Sequence, residues 1–369
     1  MTRLLFIIAS AAAILCAAEV QPVQPSDLTI HEWGTFTSVA GEDGSAVVWD
    51  ALGGKDDLPN FVNSFGYRCF KRSITDTVRM ETPVMYFYSS RELDAHVKVE
   101  FPHGVITEWY PQAQHLTGAI AWPSIKVEPY TSPALPAETA PSRYYAARGT
   151  DSAPITVGDQ HEKFLFYRGV GNFPVPLSAR VTGDGTIAVE NRGAEPVPSV
   201  ILFENRGGHL GYRNAGEVKD AVALDLPSLD SSLPVLRYEL ENLLAAQGLF
   251  PKEAQAMVET WRDSWFEEGT RLIYIVPSRA IDAFLPLHVD PAPSQTARVF
   301  VGRIELITLE TKRSVEDAIA SADWPAIERY GRFLDPILNR IVAEVPSMAN
   351  QIAQVRQKIW NSINAGACR

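Results

Sequence analysis

Residues 257–277, MVETWRDSWFEEGTRLIYIVP, constrain this chain more than any other stretch. Met257, Trp261 and Trp265 recur at i, i+4 and i+8, so one side of a helix carries three large apolar groups. Gly269 breaks that pattern, and residues 272–276 follow as a short apolar run suited to a buried strand. A helical stripe with two tryptophans needs a broad partner surface, and the chain on either side is long enough to supply one. The stretch therefore predicts a joint between a β-rich first part and a helical end, which makes the fold class α+β.

The rest of the chain divides around that joint. Residues 28–39, LTIHEWGTFTSV, are dense in β-branched and aromatic side chains and read as a strand. Alternation places Ile30, Glu32, Gly34 and Phe36 on one face and His31, Trp33, Thr35 and Thr37 on the other. Residues 77–89 repeat the signal but contain Pro83, whose missing N–H predicts a sheet edge or a bulge. Residues 95–101 alternate as a half-buried antiparallel strand, and 105–110 continue after a turn at Gly104. The proline-rich stretch 111–154 predicts either a long ordered insertion or a boundary. Short strands with frequent turn signals over 161–213 predict an antiparallel β-sandwich. Helical periodicity starts at Leu233 and stops at Gly248, and Pro251 opens the organising helix. A further strand is expected at 298–308. Helices follow at 310–321, 324–345 and 347–364, the second capped by Asp323 and kinked at Pro336. The expected regions are a leader at 1–18, an N-terminal β-rich region at 19–154, an antiparallel β-sandwich at 155–232, and a mixed, mainly helical C-terminal region at 233–369.

The leader has the form of a secretory signal. Arg3 precedes an apolar run from Leu4 to Leu15, and Cys16, Ala17 and Ala18 lead into Glu19, so cleavage is expected after Ala18. That run is too short for a permanent membrane span, and no second stretch is long enough for one. A periplasmic or secreted setting follows. The mature chain keeps Cys69 and Cys368, which form either one disulfide across nearly the whole chain or two separate thiols. The formal charge is −11 with no run of Lys or Arg, a distribution that excludes a nucleic-acid stripe and disfavours an anionic membrane surface.

Catalytic signatures are scarce. HExxH, GxSxG, a Walker loop and a strand-linked GxGxxG are all missing, which argues against P-loop and dinucleotide enzymes. What stands out is polar groups inside apolar strands. His31 and His209, with His103, His161 and a carboxylate, have the residue types of a hydrolytic zinc site, although no pair has ligand spacing on one element. Glu32, Glu81 and Glu108 are candidate acid and base groups for a glycan, over a stacking floor of Trp33, Trp49, Trp109 and Trp122. Trp33, Arg79, Tyr167 and Arg168 are candidate ligand-binding residues. The plainer alternatives are ion pairs at a sheet edge and tryptophans in the core.

Four strings, HEWGTFTS (31–38), VRMETPV (78–84), the organising stretch and RVFVGRIEL (298–306), together resemble an uncharacterised family of exported bacterial proteins of this length. The resemblance implies an envelope or secreted setting and assigns no catalytic residue and no cofactor. The expected function is an exported ligand- or glycan-binding protein, taking a small-molecule or polysaccharide ligand. The alternative is an exported hydrolase, metal-dependent or using a carboxylate pair.

Overall fold

A computed structural model describes residues 27–52, 58–65 and 75–367. The signal-like leader, Cys69 and Cys368 lie outside the described residues. In chain order the first strands are β1 (Thr29–Val39), β2 (Asn63–Ser64), β3 (Val78–Tyr88), β4 (Leu93–Glu100), β5 (Gly104–Tyr110), β6 (Gln114–Leu116) and β7 (Ala119–Val127). The central run holds β8 (Ile155–Val157), β9 (Gln160–Glu162), β10 (Leu165–Gly171), β11 (Leu177–Val181), β12 (Ile187–Asn191), β13 (Val197–Arg206), β14 (His209–Val218) and β15 (Ala221–Leu224). Then come α1 (Leu233–Ala246), α2 (Pro251–Trp265), β16 (Gly269–Ile275), α3 (Ser278–Phe284), β17 (Leu287–Asp290) and β18 (Gln295–Leu306). The chain closes with α4 (Leu309–Ala320), α5 (Trp324–Glu328), α6 (Leu334–Glu344) and α7 (Ala349–Ala367).

These strands build three sheets with a helical C-terminal region, an α+β fold. The largest sheet has nine strands in the order β14-β13-β16-β18-β1-β3-β10-β5-β2. All its pairings are antiparallel except β1 with β18, which run parallel at the centre. One face of this sheet packs on the other two sheets through a core that includes Ile30, Phe36, Met80, Phe87, Val97, Trp122, Ile187, Tyr274 and Phe300. The other face carries helices. Leu236, Leu240 and Leu244 of α1, with Met257, Trp261 and Trp265 of α2, cover Trp33, Val84, Tyr86, Phe166 and Val301. Farther along the same face, α4 to α7 pack on Val39 and Ile307.

The sandwich expected over 155–232 is therefore not a local unit. Its strands divide among all three sheets, and the layers facing one another come from distant parts of the chain. Local alternation specifies which side chains share a face, but not which segment supplies the neighbouring strand. Region 111–154 is an ordered insertion carrying β6, β7 and a short 3-10 turn at Arg143–Arg148.

Proline positions are corrected in two places. Pro83 sits in a central strand, so the edge alternative falls. The register of β1 and β3 shifts between Trp33 and Thr35, and Thr82 takes φ 47°. That bulge moves the inward phase of β3 by one residue, so Arg79 and Glu81 before it and Val84 and Tyr86 after it face the helices alike. Pro336 falls in the first turn of α6, where its missing N–H has no helical partner to lose, so it opens that helix rather than kinking a longer one. The break lies upstream, at Gly331 with φ 48°. Asp323 caps α5 as expected, its carboxylate accepting from Ala326 N at 3.1 Å.

Candidate functional site

Strand β1 carries polar groups on both faces of the nine-stranded sheet, and each face organises a different constellation. On the sheet-packed face, Glu32 is fully buried. Its Oε1 accepts from the Tyr167 hydroxyl, and its Oε2 accepts from Arg298 Nε at 2.6 Å. Arg298 also donates through Nη1 to Asp282 of α3 at 2.8 Å, and the Asp282 side chain is 66% exposed. Burial and then the Glu32 charge push the Tyr167 hydroxyl well above its ordinary range. Arg298 is raised, the Glu32 carboxylate outweighing burial. Arg298 and Asp282 line a groove of about 570 Å3, with Pro286, Leu287, His288, Val289, Pro293 and Thr296 as its other walls. Sequence reasoning found Glu32 and Tyr167 but missed Arg298 and Asp282. An arginine opening an otherwise apolar strand was the available signal.

On the helix face, a charged seam crosses the sheet between the two helical layers. Arg79 and Glu81 of β3, Thr35 and Thr37 of β1, Arg303 and Glu305 of β18 and Arg271 of β16 lie side by side in the register. Glu81 Oε1 accepts from Arg332 Nη1 at 2.7 Å, and Arg332 Nη2 donates to Ser264 Oγ at 3.0 Å. Arg79 donates to Ala51 O at 2.9 Å. Arg303 donates to Ser264 O at 2.8 Å and to Glu267 Oε1 at 2.7 Å. Glu305 Oε2 accepts from Arg271 Nε at 2.9 Å. Arg271 in turn reaches back to the C-terminal end of α2, donating to Trp265 O at 2.9 Å and Glu267 O at 2.6 Å. Carbonyls that a helix leaves without partners are thereby satisfied. Gly269, at φ 120°, makes the sharp return possible, and a Cβ there would meet Arg271 Nη2 at 2.9 Å.

Burial would raise the Glu81 carboxyl, but Arg332 and Arg79 outweigh it and hold it at about 2 against an ordinary 4.5. A folded-state value below the unfolded one adds stability above the unfolded value and loses it as pH falls. Glu81 is thus expected to contribute up to about 3 kcal/mol at neutral pH, fading between about pH 4.5 and 2. Urea unfolding of wild type and Glu81→Gln across that range checks it. The gap between the two proteins should close toward pH 2, and a gap that stays constant with pH rules the account out.

The remaining candidates fall elsewhere. Glu108 and Arg168 are cross-strand neighbours joined at 2.9 Å. Glu32 and Glu81 point to opposite faces of the sheet and share no site. His31 is fully buried under α2, while His209 is exposed at the turn between β13 and β14. Four strand spacings, roughly 19 Å, separate the strands that carry them. Among the described residues, no group of three or more His, Cys, Asp or Glu is placed to hold a metal ion. Trp33, Trp49, Trp109 and Trp122 are 0, 2, 7 and 0% exposed, so the expected stacking floor is core.

No protein-family model matches the chain, and no curated protein matches it. Among solved structures, it is similar to the yeast delta-COP-I mu-homology domain complexed with a Dsl1 WxWxV peptide, at 9% identity and a TM-score of 0.30 over 77% of this chain and 97% of that one. The same yeast domain alone gives 8% identity and a TM-score of 0.29 over 78% and 98%. No described helix is long and apolar enough to cross a membrane.

Proposed function

We propose that this is an exported ligand-binding protein that takes a hydroxyl-rich ligand, a glycan or a small polar molecule, in the groove beside Arg298. The observation that carries this reading is the chain of contacts from the core to the groove wall. Tyr167 and Arg298 hold Glu32, and Arg298 holds the exposed Asp282 carboxylate. A carboxylate positioned from the core keeps its acceptor oxygens in place before a ligand arrives, which lowers the ordering cost of binding. Thr296 and His288 add polar groups to the same walls. With the tryptophans in the core, recognition rests on these polar side chains rather than on ring stacking. Export is supported by the signal-like leader, and secreted material from cells should begin at Glu19.

An exported hydrolase is the second reading, favoured by one observation, the buried pair His31–Glu253 on the helix face of β1. A carboxylate-pair mechanism has weaker support. A glycosidase needs one carboxylic acid with a raised pKa. Glu81 is held ionised instead, and both oxygens of Glu32 are already engaged.

Glycan-array screening of the mature protein, followed by calorimetry, tests the binding reading. Asp282→Asn is expected to weaken binding at least tenfold, with the melting temperature unchanged because Asp282 is mostly exposed. Equal affinity in wild type and variant would place the ligand elsewhere, and turnover of a bound glycan by wild type would favour the hydrolase.

A further inference from the structure

His31 is a polar group of β1 whose chemistry neither the groove nor the charged seam uses. It is fully buried, and its Nδ1 lies 2.7 Å from Glu253 Oε2. Glu253 is also fully buried, at the first turn of α2. Its Oε2 accepts from Phe250 N at 2.7 Å, and its Oε1 accepts from the Tyr88 hydroxyl at 2.7 Å. A carboxyl group receiving hydrogen on both oxygens is an acceptor, so His31 Nδ1 must be the donor in its contact. That assignment leaves Nε2 as the second ring nitrogen, and Nε2 is buried with no hydrogen-bond partner. A buried acceptor without a partner costs about 1–3 kcal/mol and is uncommon in folded proteins.

Its ring contacts include a side chain at the surface. The imidazole sits against Phe250, with ring centroids 4.4 Å apart, and against the edge of Tyr88 at 5.5 Å. Phe250 is 42% exposed and holds the short link between α1 and α2, beside the exposed Gly248. Phe250 therefore places one exposed side chain directly against the imidazole.

We propose that His31 is a base site, in which Glu253 fixes the Nδ1–H tautomer and Nε2 accepts hydrogen from an O–H or N–H group of an uncharged ligand when Phe250 moves aside. The arrangement is that of a histidine general base oriented by a carboxylate. Tyr88 and the Phe250 backbone act as positioning groups, since they hold Glu253 rather than Nε2. The site lies on the helix face, across the sheet from Glu32, so it is independent of the groove.

Two measurements decide it. Nitrogen-15 NMR of the wild-type protein at neutral pH should show His31 with hydrogen on Nδ1 and a bare Nε2. A proton on Nε2 would overturn the proposal without any variant being made. Diethyl pyrocarbonate, read by peptide mass mapping, then probes access to Nε2. His31 should acylate at least tenfold faster in Phe250→Ala than in wild type, while the exposed His209 and His288 react alike in both. Equal His31 rates in the two proteins, with those controls reacting normally, would overturn the role of Phe250 and the proposal with it.

Discussion

Replacing Glu305 by alanine is expected to lower the unfolding free energy by about 3–5 kcal/mol, the range for breaking a buried ion pair from one side. Glu305 is 2% exposed and accepts from Arg271 Nε at 2.9 Å and from Arg303 Nη2 at 3.2 Å. Both guanidinium groups are themselves at 0% exposure. Without the carboxylate they keep their contacts to α2 but face each other as like charges in a poorly solvated seam. Burial and then the Arg271 charge already lower Arg303 to about 10, so the carboxylates that offset them matter. Urea denaturation with matched slopes measures the loss, and a change below about 1 kcal/mol would mean that water solvates the seam. Replacing Arg271, Arg303 and Glu305 together by apolar residues of similar volume should recover most of the stability, because no charge is then stranded.

Trp265→Ala is the second large loss, again about 3–5 kcal/mol, through the cavity it leaves. Trp265 is fully buried, lies nearly parallel to Trp261 with centroids 6.4 Å apart, and meets Phe266 edge-on. It also sits where α2 hands the chain to β16, so its neighbours are tied to the sheet and cannot collapse into the space. The carbonyl that Arg271 uses remains in the variant, which separates this effect from the charged seam. Thermal unfolding with Trp265→Phe alongside gives the size dependence. Phenylalanine should retain part of the stability, and equal losses for the two variants would argue against a cavity term.

Much of the local structure was legible because it follows from periodicity. The stripe Met257, Trp261 and Trp265 lies on the buried side of α2, and Pro251 opens that helix. The alternation of β1 was also legible. Ile30 and Phe36 lie in the core between sheets, while Trp33 lies in the core beneath α1 and α2. The site residues were legible only as residues out of place. Glu32 and Tyr167 proved to be partners, as did Arg168 and Glu108, but neither pairing could be inferred from their spacing. Arg298, Asp282, Glu253 and Arg332 went unremarked because each gains its meaning from a residue far away in the chain. Glu253 is 222 positions from His31, and Arg332 is 251 from Glu81.

The sequence by itself determined which side chains point together within each element, since the 3.6- and 2-residue periods are set by backbone geometry alone. It also determined the α+β class and the turn-forming glycine at 269. Only the tertiary structure decided that β18 enters the centre of the sheet parallel to β1, bringing Arg298 to Glu32 and Arg303 to Thr37. A strand's own pattern is satisfied by many neighbours. Choosing among them depends on burying both faces of the whole sheet at once, a condition that no local stretch contains.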